Sequence, residues 1–139
     1  MNAAVFDRFG PPQEVLQVRD MPKPEPRRGE VLVRMLASPI NPSDIMYVEG
    51  RYTIKPELPA TPGFEGVGVV EANGGGILGW LRKGNRVAVI NGERGNWADY
   101  TVTSARLAVS HPRVPNGTCE RETASVVRRN HRIQPRGDI

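Results

Sequence analysis

Proline and glycine set the strongest limit on what this chain can become: thirteen prolines and fifteen glycines stand among 139 residues. A proline inside a helix removes a backbone donor and crowds the preceding turn, and a glycine fixed there loses more freedom than any other residue. Together they argue against a helix bundle and for short strands joined by many turns. Disorder would tolerate the same punctuation, but it requires low hydrophobicity throughout. Residues 1–110 lack that property, whereas the last thirty or so residues have it.

Between the breaks, apolar residues alternate. Ala3–Phe6 is a short apolar run closed by Gly10-Pro11-Pro12, and Val15–Arg19 predicts a strand. Pro22 to Pro26 is a stiff extended connection. Glu30–Ala37 carries the clearest strand signal, with Val31, Val33 and Met35 alternating against Leu32, Arg34 and Leu36. Asn41 suits a helix N-cap and Pro42 the first helical position, so Ser43–Val48 is expected as a short helix stopped by Gly50. A proline-rich loop follows over 51–62. Further strands are expected at Gly63–Ala72, Arg86–Ile90, Trp97–Val102 and Arg106–Val109, with turns at Asn73–Gly76 and Lys83–Asn85. Trp97 and Tyr100 are expected to build the core. Short strands at this spacing imply a mainly β barrel or sandwich.

The length fits one domain and leaves no room for a small barrel plus a complete dinucleotide-binding domain. The net charge of +4 is uneven: residues 111–139 hold six Arg against three acids. That segment has no aromatic residue to interleave with its cations, so no nucleic-acid partner is expected. Cys119 is the sole cysteine, which excludes an intramolecular disulfide. The opening MNAAVFDRFG lacks the basic start and apolar core of a signal peptide, and no apolar run reaches the length of a membrane span. A cytoplasmic location without a membrane partner is the expectation.

Four stretches then fall in one order: GEVLVRMLASPINPSD, GRYTIKPELPATPGFEGVGVV, LRKGNRVAV and GNWADYTV. This succession resembles the N-terminal, GroES-like catalytic domain of medium-chain dehydrogenases/reductases over residues 1–112. Within that family it is most similar to the zinc-independent branch of quinone oxidoreductases and enoyl reductases, the latter through Ala37–Ile45 and Pro56–Ala60. The resemblance implies a GroES-like small β-barrel with short helices. It stops near residue 112, so 113–139 is expected as a disordered or weakly structured Arg-rich tail, a truncated or frame-shifted continuation. The doubly wound cofactor domain of such enzymes is not read in these residues.

Zinc can be tested by residue chemistry, since a catalytic zinc needs about three Cys, His, Asp or Glu ligands around one point. The zinc-dependent relatives carry a Cys where this chain has Asn41, and a Gly-His-Glu motif where it reads Gly63-Phe64-Glu65. No metal is therefore expected, and His111, Cys119 and His131 are read as incidental. Gly74 to Gly79 formally matches G-x-G-x-x-G, yet only Trp80–Asn85 separates it from the next strand. A barrel turn is the expectation there, because the dinucleotide motif must open a helix packed on a parallel sheet.

The resemblance implies hydride transfer from NADPH to a conjugated carbonyl: an enone, a quinone or an enoyl thioester. Without zinc, a hydrogen-bond donor must stabilise and protonate the enolate. Tyr52 is the candidate, since a tyrosine stays protonated at neutral pH and this one follows the short helix where enoyl reductases carry their proposed catalytic tyrosine. Asn41 is the candidate for the ribose or nicotinamide region, with helix capping as its structural alternative. Asp44, Tyr47 and Glu65 are candidates for the cleft wall; capping for Asp44 and core packing for Tyr47 are the competing roles. Arg27, Arg28 and Arg51 would suit an acidic thioester carrier or simply solvated surface. Two other readings stand beside the enzyme: a stand-alone GroES-like binding or assembly module, and an inactive remnant whose uncovered face drives homodimerisation or aggregation.

Overall fold

The computed structural model describes residues 1–92 and 94–110, so the tail expected over 113–139, with Cys119 and His131, lies outside the described residues, as does His111. The alternating runs become strands β1 (Asn2–Val5), β2 (Gln17–Asp20), β3 (Glu30–Ala37), β4 (Glu65–Asn73), β5 (Arg86–Ile90), β6 (Tyr100–Ser104) and β7 (Ala108–Ser110). Three short helices join them: α1 (Pro12–Val15), α2 (Pro42–Val48) and α3 (Ile77–Arg82). The mainly β class expected from the sequence is the one that forms.

β1 and β2 pair antiparallel, and the other strands make one antiparallel sheet in the order β6-β3-β4-β5-β7. The two edge strands β6 and β7 are joined through residues 105–107 alone. In a flat sheet those edges would lie about 19 Å apart, whereas the link reaches at most about 14 Å. The sheet must therefore curl until its edges approach, which gives the barrel shape.

Inside the curl the pleat sends Val31 and Val33 of β3, Val70 of β4, and Val87 and Val89 of β5 into one cluster, closed by Ala105 and Ala108. Each such valine contributes roughly 1.5–3 kcal/mol by leaving water. β4 lies tight against β3 at Gly68, where a Cβ would stand 2.4 Å from the Arg34 carbonyl oxygen. Thr101, buried in the same interior, donates its hydroxyl to the Gly95 carbonyl (2.9 Å) and accepts from the Asn91 amide (2.8 Å). A second cluster of Phe6, Val15, Tyr47 and Val48 lies where α1 and α2 meet the end of β1.

Four expectations are corrected. Val15 belongs to α1 rather than to a strand, because Pro12 starts a helical turn and the Val15 N–H donates to the Pro11 carbonyl. The strand expected from Trp97 begins only at Tyr100; ahead of it Ala98 makes an isolated bridge to Ala3. Trp97 and Tyr100 are half-buried rather than core, because each polar ring finds a partner at the surface. The Trp97 indole donates to the Pro39 carbonyl (3.1 Å), and the Lys23 ammonium lies 3.8 Å above the Tyr100 ring. Finally, the stretch after Gly76 is no plain turn: Ile77–Arg82 winds as α3. Its flanking strands β4 and β5 run antiparallel, so the helix does not make a dinucleotide-binding unit.

Gly68→Ala should destabilise the fold by about 1–3 kcal/mol through overpacking. Gly92→Ala, where a Cβ meets nothing within 4 Å, should shift stability by less than about 1 kcal/mol. Urea unfolding of the two variants measures the contrast.

Candidate functional site

The site is assembled at the N-terminus of α2. Asn41 is the N-cap, with extended backbone, and Pro42 opens the helix. Its cap is closed by Asp44, whose Oδ2 accepts the Asn41 backbone N–H at 2.8 Å. The second oxygen, Oδ1, accepts the Phe64 backbone N–H at 2.9 Å. A carboxylate only 1% exposed thus ties the start of α2 to the residue before β4, and both acceptor atoms are used. Charge-assisted bonds of this kind are roughly twice as strong as neutral ones.

Fixing the Phe64 backbone also fixes its ring. That ring lies edge-on to Tyr47 (5.1 Å between centroids, 70°) and tilted against Tyr52 (5.0 Å, 39°). Tyr47 in turn meets Phe6 edge-on at 5.9 Å. These are the offset and edge geometries that aromatic quadrupoles favour. Tyr52 is therefore held against an aromatic floor while remaining partly accessible. Its backbone N–H is held by the Met46 carbonyl (3.1 Å) at the end of α2, where Gly50 turns with φ +73.

A second bracket holds the loops on either side. The backbone N–H groups of Asn96 and Trp97 both donate to the Pro62 carbonyl at 3.0 Å, while the Trp97 indole holds Pro39. Gly63 beneath it has φ +104, and a Cβ there would stand 2.5 Å from Trp97 Cδ1. The Asn41 side-chain amide donates to Glu65 Oε2 at 3.3 Å, and the Ser38 hydroxyl donates to the Glu65 carbonyl at 2.5 Å.

The structure thus brings Asn41, Asp44, Tyr52 and Glu65 around Phe64. Asn41 and Glu65 face each other at the surface, and Tyr52 borders the aromatic floor. Tyr47, considered above for the cleft wall, is 3% exposed and packs in the second core cluster. Asp44 is likewise buried and acts on backbone. Arg51 folds back on Glu49. Sequence reasoning missed Phe64 as a hub and Trp97 as a bracket. Phe64 enters the sequence reading only as a missing ligand, and the signal for Trp97 is its place after Gly95-Asn96, a turn that docks on Pro62. Among the described residues no three His, Cys, Asp or Glu side chains group as metal ligands.

Comparison with known proteins bears on the family and the fold. The family described as alcohol dehydrogenase GroES-like domain matches residues 27–113. The mitochondrial enoyl-acyl-carrier-protein reductase of Xenopus tropicalis is 40% identical over 108 residues, which is 78% of this chain and 31% of that protein. The quinone oxidoreductase of Thermus thermophilus, solved also in complex with NADPH, superposes with a TM-score of 0.66 at 30% identity, over 84% of this chain and 34% of its own. A thermostable alcohol dehydrogenase of Pyrobaculum aerophilum, solved with cobalt and zinc bound, gives 0.72 at 30% identity, over 81% and 42%. The chain spans about a third of the length of the curated relative.

Asp44→Ala strands two part-buried N–H groups and should cost about 1–3 kcal/mol in urea unfolding, with faster hydrogen exchange at the Phe64 amide. Burial raises the Tyr47 phenol above its ordinary value. A raised folded value means stability is present below the unfolded value of about 10 and is lost as pH climbs through the folded one. Thermal unfolding from about pH 9 to pH 11 should therefore fall more steeply for the native chain than for Tyr47→Phe.

Proposed function

The chain belongs to the alcohol dehydrogenase GroES-like domain family of the medium-chain dehydrogenases/reductases, and from that premise we propose that it is the substrate-side domain of a zinc-independent, NADPH-dependent oxidoreductase acting on a conjugated carbonyl, an enoyl thioester or a quinone. The observation that carries the proposal is the wedge of Phe64 between Tyr47 and Tyr52. A carbon ring offers no lone pair to a metal, and it occupies the position of the histidine in Gly-His-Glu. The Asn41 amide next to it donates to Glu65. A site lacking a Lewis acid has to rely on hydrogen-bond donors.

Tyr52 is assigned that task. Its phenol, held against Phe64 and partly accessible, would donate to the carbonyl oxygen and pass its proton as negative charge develops there. Asn41 and Glu65 form a polar rim that would orient a hydroxyl or amide of the reactants. Asp44 and Trp97 keep rim and floor in register. The described residues offer no cradle for dinucleotide phosphates, because every strand pair is antiparallel and the glycine-rich turn opens a helix of only six residues. The nucleotide is assigned to residues outside this set, and no turnover is expected from the chain by itself.

A chimera tests the assignment: residues 1–110 replace the matching segment of the Xenopus reductase, and NADPH oxidation is followed with an enoyl thioester and with a quinone. Activity should survive without bound zinc. Tyr52→Phe should lower kcat by about 10²–10³-fold with little change in KM. Stoichiometric zinc, or a Tyr52→Phe variant as fast as its parent, contradicts the proposal.

A further inference from the structure

Helix α3 carries its apolar residues on the wrong side for a core. The residue it buries is Gly79, whose Cβ position lies 3.0 Å from Asn73 Cβ and 3.5 Å from a Val31 methyl. Its large side chains are left in water: Ile77 is 81% exposed, Trp80 70% and Leu81 58%, with Leu78 also exposed. Leu107 is exposed as well, and the Arg82 guanidinium at the end of α3 donates to the carbonyl of the following residue, Ala108. A helix that stabilises a barrel normally does the opposite and turns its apolar stripe inward. The whole group sits in the connection between neighbouring antiparallel strands β4 and β5, with Gly79 against Asn73 and Val31 and the large side chains exposed.

Cations surround this tip. Arg28 and Arg106 line one groove together with Ile77 and Leu78, and Lys83 follows the helix directly. All three are exposed. Of the nearest acids along β3 and β4, Glu30 lines the same groove but accepts the Arg27 N–H and faces Arg94 at 3.6 Å, and Glu71 faces Lys23 at 2.5 Å.

We propose that the α3 tip is a docking surface for an anionic lipid bilayer. Tryptophan flanked by leucine and isoleucine is suited to the boundary between headgroups and acyl chains, and flanking Arg and Lys are attracted by acidic lipids. Exposure and charge both favour this occupant. The apolar side chains are exposed on a short helix, and the exposed charges that flank them, Arg28, Lys83 and Arg106, share one sign, while Glu30 of the same groove faces Arg94. The contact lies on the surface and is distinct from a membrane span, which no helix among the described residues is long and apolar enough to make.

The test is co-sedimentation of the full 139-residue chain with phosphatidylcholine vesicles, with and without phosphatidylserine. Binding is expected only to the phosphatidylserine vesicles, with loss in high salt and a blue shift of tryptophan emission. Trp80→Phe should remove the shift, since the remaining Trp97 holds the Pro39 carbonyl. Lys83→Glu with Arg106→Glu should weaken binding at least about tenfold. Trp80→Ser with Leu81→Ser should do the same, and all variants should keep the native circular dichroism because the altered side chains are exposed. The proposal is overturned if the chain does not bind. It is also overturned if the serine variants bind as the native chain does, which would leave the Arg-rich continuation as the sole contact. Lipid-free self-association relieved by Trp80→Ser would give the surface to a second copy and overturn it as well.

Discussion

A single buried carboxylate joins the helical and sheet parts of the site. Asp44 accepts one backbone N–H from the helix cap and another from Phe64, so the N-terminus of α2 and the entry to β4 share one acceptor group. Burying a charge is costly unless its hydrogen bonds are made. Here both oxygens are used, and the positive end of a helix is adjacent. The neighbouring features follow from that point. With the Phe64 backbone pinned, its ring has one place to lie, and Tyr52 has one surface to lean on. The side chains of Asn41, pinned through its own N–H, and of Glu65, next to Phe64, are then brought face to face.

Stability and chemistry are kept in different places. The barrel interior is aliphatic, built from valines and alanines around two threonines, with Gly68 allowing β3 and β4 to approach. The candidate site lies outside it, on an aromatic cluster fed by the loops 38–41 and 62–64. This division allows the site residues to vary without disturbing the valine core. The structures and proteins this chain is similar to include one solved with cobalt and zinc bound and others named for quinone and enoyl substrates. The barrel is common to them.

Elements governed by local chemistry were legible in the sequence. Glu30–Ala37 and Arg86–Ile90 form strands over the expected residues because a two-residue period is a local property. The helix after Asn41-Pro42 formed for the same reason. What sequence reasoning misjudged depended on distant partners. Trp97 is turned outward by the Pro39 carbonyl, 58 residues away. Tyr100 lies under Lys23, far from it in the chain. Around Ile77–Arg82 the glycines favour a turn, because they stand both before the segment and within it. Yet Gly79 is the residue that lets α3 lie against β3 and β4, a close approach that no local pattern displays. The positions of Asn41, Asp44, Tyr52 and Glu65 could be named from sequence, but their convergence on Phe64 could not.

The pairing of the sheet has a kinetic consequence. β3 finds its partner β6 only through contacts such as Glu30 with Ser104, and the Asn2 N–H reaches Asp99 across 97 residues of chain. Each such contact requires a large loop to close before it yields any stabilisation. A chain emerging from a ribosome can pair β3 with β4 once the long connection through α2 has been made, but its barrel must wait until β6 has been synthesised. Until then the inward faces of Val31 and Val33 stay open to solvent, so late closure is the step at which this fold is most exposed to aggregation.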